Sequence, residues 1–274
     1  MTLPFYISRK SADIKGSHLV IACTSIGQSA VIAGGLFIDN QHAISIGYLS
    51  PFTMKPEVLI EDRSTKPYTS PFLILPNEVY YVESYKITIL VLRAEILEGQ
   101  NAGFENVISN FIASNSFVDI LILGATRASA SDLRESNKHI PEFYSTYNCA
   151  ARSYAESLNK KQRIFHLREL YQSNSEKEDA ESLCLAGQTP TLIKLASTFE
   201  TPTYTLLIHA FDGLDLVGGW IMFSKVLDIM NIQYPILIQK RLELISLGEE
   251  NTLPVDKLYE DISYPKFWQP YILN

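Results

Sequence analysis

Apolar and polar positions recur along this chain with two different periods, and the places where the period changes predict its elements. His18 to Cys23 is a short apolar run, which reads as a buried strand. Ser25 and Gln28 then fit a capping box, in which the serine side chain accepts from the third helical N–H and the glutamine reaches back. That spacing predicts a helix from Ile26, with Ile26, Ala30, Ala33, Gly34 and Phe37 on one face. Val31, Ile32, Leu36 and Ile38 fill most of the remaining circumference. A helix apolar nearly all round must be covered on more than one side. Gly34 and Gly35 cost helix propensity and predict close approach of another backbone. His42 to Leu49 is a second strand, expected to pair with the first through a right-handed crossover.

Prolines 51, 56, 67, 71 and 76 punctuate a long extended connection. Two strands, Asn77 to Glu83 and Tyr85 to Leu92, then read as a hairpin. Phe104, Val107, Ile108, Phe111 and Ile112 form the stripe of an amphipathic helix. Val118 to Leu123 follows as a strand stopped by Gly124, completing a second βαβ unit. The pattern weakens from Ala125 to Ala186, where Cys149 to Leu158 is a helix candidate and SNSEKEDAES at Ser173 to Ser182 an exposed acidic stretch. Thr189-Pro190 opens a helix of about ten residues, Thr203 to Ala210 is a buried strand, and Leu214 to Met230 is a second helix with almost no polar face. One core rarely hides two such helices, so one of them is expected to face a partner.

These elements define an α/β fold: a doubly wound, mostly parallel sheet with helices on both faces and an added hairpin. The domain division is an arm over 1–16, one α/β domain over 17–231 with a variable insertion at about 137–184, and a C-terminal extension and tail over 232–274. Tyr264, Phe267, Trp268 and Tyr271 crowd that tail, which is expected to dock on its own fold or on another protein.

Charge narrows the partners. The net charge of -7 and the lack of a strong Lys/Arg cluster leave no footprint for nucleic acid or an anionic membrane. Three cysteines, Cys23, Cys149 and Cys184, have no paired spacing, which favours a reducing compartment. The N-terminal residues lack a continuous apolar core and no apolar run is long enough to span a bilayer, so the expected location is cytosol or nucleus.

Ser25 is where catalytic chemistry would start, because α/β enzymes hold anions or place nucleophiles at a strand end beside a helix N-terminus. Yet no G-x-S-x-G, G-x-G-x-x-G or G-x-x-x-x-G-K-[ST] motif is present. Ser25, Gly27 and Gln28 therefore read as a structural turn, with Ser25 as a cap. His18 and His209 read as core histidines, and His42, His139 and His166 as surface residues without metal-ligand spacing. Asp119 needs a partner, for which Arg127 and Arg134 are near in sequence. The polar stretch Thr126 to Glu135 reads as a solvated connection or the lid of a pocket. No catalytic residue, metal site or cofactor is assigned. The alternative is a nucleoside-type small-molecule enzyme using the Ser25 turn as an anion site.

In order along the chain, several segments resemble the proteasome assembly chaperone 2 family. LVIACTSIGQSAVIAG at Leu19 to Gly34 is similar to its opening strand, turn and helix, and AISIGYLSPF at Ala43 to Phe52 to its second strand with an Ile46-Gly47-Tyr48 triplet. EVYYVESYKITILVLRAEI at Glu78 to Ile96 resembles its hairpin, closing on Leu92-Arg93, and FVDILILGATRASASDLR at Phe117 to Arg134 its strand and serine-rich loop. LAGQTPTLIKLA at Leu185 to Ala196 and TLLIHAFDGLDLVGGWIMFSKVLDIM at Thr205 to Met230 resemble its last helix, strand and helix.

The resemblance implies a non-enzymatic chaperone that forms a heterodimer with a sister assembly chaperone. It also implies binding to proteasome α-subunits and prevention of wrong pairing of 20S α-rings. In some members a C-terminal hydrophobic-tyrosine-any tripeptide enters a pocket between α-subunits, whereas here the tyrosine of Tyr271-Ile272-Leu273-Asn274 is fourth from the end. The partner-binding residues expected on this reading are Trp220, Phe223, Trp268, Tyr271, Ile272, Leu273 and Asn274.

Overall fold

A computed structural model describes residues 6–55, 59–61, 72–127, 143–162, 164–166, 185–210 and 213–233. In chain order these residues form β1 (Tyr6–Ser8), β2 (His18–Cys23), α1 (Ser29–Asn40), β3 (Ile44–Leu49), β4 (Leu59–Glu61), β5 (Phe72–Ile74), β6 (Asn77–Val82) and β7 (Ile87–Leu92). There follow α2 (Asn101–Asn115), β8 (Ile120–Arg127), β9 (Phe143–Tyr147), α3 (Arg152–Gln162), β10 (Phe165–His166), α4 (Thr189–Ala196), β11 (Thr203–Ala210) and α5 (Leu216–Ile229).

One sheet takes nine of these strands in the order β1-β3-β6-β7-β2-β8-β11-β9-β10, while β4 and β5 form a separate antiparallel pair. The four central strands, β7, β2, β8 and β11, are parallel. Outside them β1, β3 and β6 pair antiparallel, as does β9 on β11, and β10 runs parallel to β9. The sheet is therefore mixed, and a mostly parallel arrangement holds only at its centre. The hairpin is integral to it: β6 and β7 are joined by one 3-10 turn, Glu83–Tyr85, and β7 is the inner neighbour of β2.

That hairpin displaces the second predicted strand. β3 does not pair with β2; β6 and β7 stand between them, so β3 finds its partners in β6 and β1. Gly124 does not stop β8, which continues to Arg127. A Cβ at Gly124 would meet the Thr189 side chain at 2.6 Å, so this glycine lets α4 lie close on the strand. The weakly patterned stretch supplies β9, α3 and β10, whose few residues carry too little periodicity to stand out.

Alternation along the strands sends side chains to two cores. Val20, Ala22, Leu121, Leu123, Leu206 and Ile208 pack with α1 and α5, and with Ala155 and Leu158 of α3. Leu19, Ile21, Cys23, Ile120 and Ile122 pack with Phe104, Ile108 and Phe111 of α2 and Leu192 and Leu195 of α4. Helices thus cover both faces. The expectation that one apolar helix needs an outside partner fails here, because α1 and α5 pack against each other. Gly219 of α5 sits so close to Ile32 of α1 that a Cβ would overlap it. Gly34 faces the sheet, where a Cβ would come within 2.7 Å of Ala22 Cβ.

Buried polar groups hold the edges. Asn148 donates to the carbonyls of Phe199 (2.9 Å) and Thr201 (2.8 Å) and accepts from the N–H groups of Ala151 and Thr203, both at 3.1 Å. Glu78, fully buried, accepts from Arg9 at 2.8 Å and from the Tyr80 hydroxyl, with Arg93 at 3.8 Å. The Arg9 contact ties the backbone beyond β1 to the sheet.

Candidate functional site

The C-terminal ends of the parallel strands are where α/β folds place their ligands, especially where helices leave on opposite faces. In this protein that point lies between β2 and β7. The helix after β2 packs on one face and the helix after β7 on the other.

After β2 the chain makes the 3-10 turn Ile26–Gln28 and enters α1 at Ser29, three residues later than the capping box predicts. Gly27 at φ 67° and Gln28 at φ 57° are both left-handed. Glycine adopts that region without a Cβ penalty, and its presence lets the strand turn this sharply. The capping box is not formed: neither Ser25 nor Gln28 makes a side-chain cap hydrogen bond, because the left-handed pair removes Gln28 from the helical position the box requires. Only the Ser25 carbonyl closes the turn, accepting from Gln28 N–H at 3.2 Å.

The crevice between β2 and β7 is filled by Gln188. Its Oε1 accepts from Thr24 N–H at 3.1 Å and its Nε2 donates to the Ala94 carbonyl at 2.5 Å, bridging the ends of the two strands. Its own N–H donates to the Thr24 carbonyl at 3.0 Å. Gln188 is 1% exposed. Gly187 precedes it at φ 67°, and any Cβ there would overlap the Thr24 carbonyl, so the segment before α4 presses on the turn as only glycine allows. Sequence reasoning missed Gln188. The visible signal was a glycine before the Thr-Pro helix start; nothing local to Gln188 points to a partner 164 residues away.

Around this plug lie hydroxyls with no hydrogen-bond partner: the buried Oγ atoms of Thr24, Ser25, Ser29 and Thr126. Cys23, at the end of β2, is fully buried; its thiol lies 3.2 Å from the Leu123 carbonyl, and burial pushes its pKa up to about 12. Asp215 caps α5 by accepting from Gly218 N–H at 2.7 Å, and its own N–H donates to the Gly27 carbonyl at 2.8 Å.

The other sequence candidates separate. His18, at the opposite end of β2, lies 2.9 Å from the Asp119 carboxylate. It takes the place expected of Arg127, which stands at the far end of β8, roughly 25 Å along the strand. His209 shares a 2.8 Å hydrogen bond with the Tyr144 hydroxyl. Trp220 (7% exposed) and Phe223 (0%) are core residues and present no surface for a partner; they pack edge-on to each other, and Phe223 likewise meets Phe37 of α1. Trp268, Tyr271, Ile272, Leu273 and Asn274, the helix expected over 236–247 and most of the Thr126 to Glu135 stretch lie outside the described residues. Among those described, no cluster of three or more His, Cys, Asp or Glu is placed to hold a metal, and no helix is long and apolar enough to cross a membrane.

A mixed sheet covered on both faces, with the crevice at its strand ends closed by a side chain, defines an α/β protein built as a scaffold at the point where its relatives in class hold ligands. Known structures share this fold. PbaA from Pyrococcus furiosus, an archaeal homolog of proteasome-assembly chaperone, matches with a TM-score of 0.63 at 15% identity, over 97% of this chain and 98% of that one. PbaB from the same organism, an archaeal proteasome activator, matches with a TM-score of 0.63 at 16% identity, over 93% and 98%. A PAC2 family protein from Streptomyces avermitilis matches at 0.54 and 12% identity, over 86% and 96%. No protein-family model and no curated protein matches the chain by sequence.

Proposed function

We propose that this protein is a non-enzymatic chaperone subunit of the proteasome assembly chaperone 2 family. In this reading it pairs with a sister chaperone, binds α-subunits during 20S α-ring assembly and prevents off-pathway ring pairing, working in the cytosol and nucleus. The observation that carries it is the correspondence of fold, over nearly the full length of both chains, with an archaeal proteasome-assembly chaperone homolog. The Gln188 plug adds support, since it occupies the crevice an α/β enzyme would keep for its substrate. The alternative enzyme has less behind it: a serine nucleophile needs a base within hydrogen-bond reach, and the Ser25 hydroxyl has no partner.

With Trp220 and Phe223 inside the core, the residues we propose for partner contact are Trp268, Tyr271, Ile272, Leu273 and Asn274. Affinity capture of the intact protein from cells, with the co-purifying chains identified, tests the reading. A homologous chaperone in one-to-one ratio together with proteasome α-subunits is the expected result, and removal of residues 264–274 should weaken α-subunit capture. Capture of neither would overturn the proposal.

A further inference from the structure

We propose that the start of α1 is a binding site for a phosphate-type oxyanion, held by the hydroxyls of Ser25 and Ser29 together with the first-turn N–H groups of the helix. α1 has 12 residues, no side-chain cap at Gln28 and no acidic residue in its first turn. Its first N–H groups lack intrahelical acceptors and stand at the positive end of the helix dipole, the arrangement that attracts anions. A helix end alone would say little, but here the side chains agree with it.

Thr24, Ser25 and Ser29 are 4%, 8% and 0% exposed, and all three hydroxyls are without a hydrogen-bond partner. Ser29 is the first residue of α1, and Cα–Cβ bonds tilt toward the N-terminus of a helix. Its hydroxyl therefore overhangs the turn that holds Ser25. Folded proteins rarely leave neighbouring buried hydroxyls unsatisfied. One tetrahedral oxyanion accepts from several O–H and N–H donors at once and would satisfy this set. The Gln188 plug does not compete for them: it bonds the Thr24 backbone and Ala94 on the β7 side. Alternation from Val20 and Ala22 places the Thr24 side chain on the α1 side. Ser25, at 8%, retains exposure through which solvent reaches the turn.

The site does not rest on the chaperone reading. Its test is titration of the full chain with inorganic phosphate and, separately, with ribose 5-phosphate at constant ionic strength, followed by calorimetry and 31P NMR. Saturable binding of either ligand is expected, weakened about tenfold by Ser25→Ala and by Ser29→Ala, with the melting temperature of each variant in chloride buffer close to that of the parent. Binding of both ligands marks a free-phosphate site, and binding of ribose 5-phosphate alone marks a phosphorylated metabolite. If one variant fails to fold, the other still decides. No saturable binding by either ligand, or equal affinity in the variants, would leave these hydroxyls hydrated by internal water and overturn the inference.

Discussion

Ser25→Ala separates two accounts of the turn after β2. If the serine were an N-cap, its loss would cost about 1 kcal/mol. Its side chain makes no cap bond, so in phosphate-free buffer the change should stay within about 0.5 kcal/mol by urea denaturation. Gln188→Ala is the contrasting substitution. It strands the Thr24 N–H and the Ala94 carbonyl in a buried place and should cost about 2–4 kcal/mol in the same assay. Cysteine chemistry follows burial as well. Iodoacetamide should label the exposed Cys149 in the native protein and spare Cys23, which becomes reactive only on unfolding. The raised Cys23 pKa also has a sign. The unfolded thiol ionises near 9 and the folded one near 12, so this contribution to stability is complete below pH 9 and is lost as pH rises toward 12. Burial raises Tyr80 and Tyr204 in the same direction.

At the scale of elements, the informative pair is α1 with α5. Each helix reads as too apolar for one core, and periodicity alone sends the excess toward a partner. In the folded chain the excess of one covers the other, through the close approach that Gly219 permits at Ile32. Trp220→Ala should therefore cost about 3–5 kcal/mol of stability, whereas a partner-facing tryptophan would leave the urea midpoint unchanged and lower only partner capture. The strand β11 and the stripe of α2 were legible because their patterns are long and regular. β9 and β10 were not, since five and two residues carry no usable period. Gly124 misled for a related reason: a glycine that ends a strand and one that admits a neighbouring helix look alike until Thr189 is in place.

Over the whole molecule, both cores share one sheet. The α1, α3 and α5 layer and the α2 and α4 layer pack on opposite faces of the same central strands. Losing either layer strips the sheet that supports the other, which makes the domain one cooperative unit. Urea unfolding followed by Trp220 fluorescence, in a Trp268→Phe background, should coincide with unfolding followed by far-ultraviolet circular dichroism; separate midpoints would mean that the layers unfold independently.

Local pattern by itself determined the strand after His18, the hairpin, the amphipathic α2, β11 and the apolar α5, because periodicity and turn chemistry act over a few neighbouring residues. It also marked the turn at Ser25, Gly27 and Gln28 as the pivot of the chain. The tertiary structure alone decided that β6 and β7 separate β3 from β2, that α1 and α5 satisfy each other, and that Gln188 closes the crevice beside the turn. Each of those outcomes joins residues far apart in the chain, and no local period encodes which distant surface a buried face will meet.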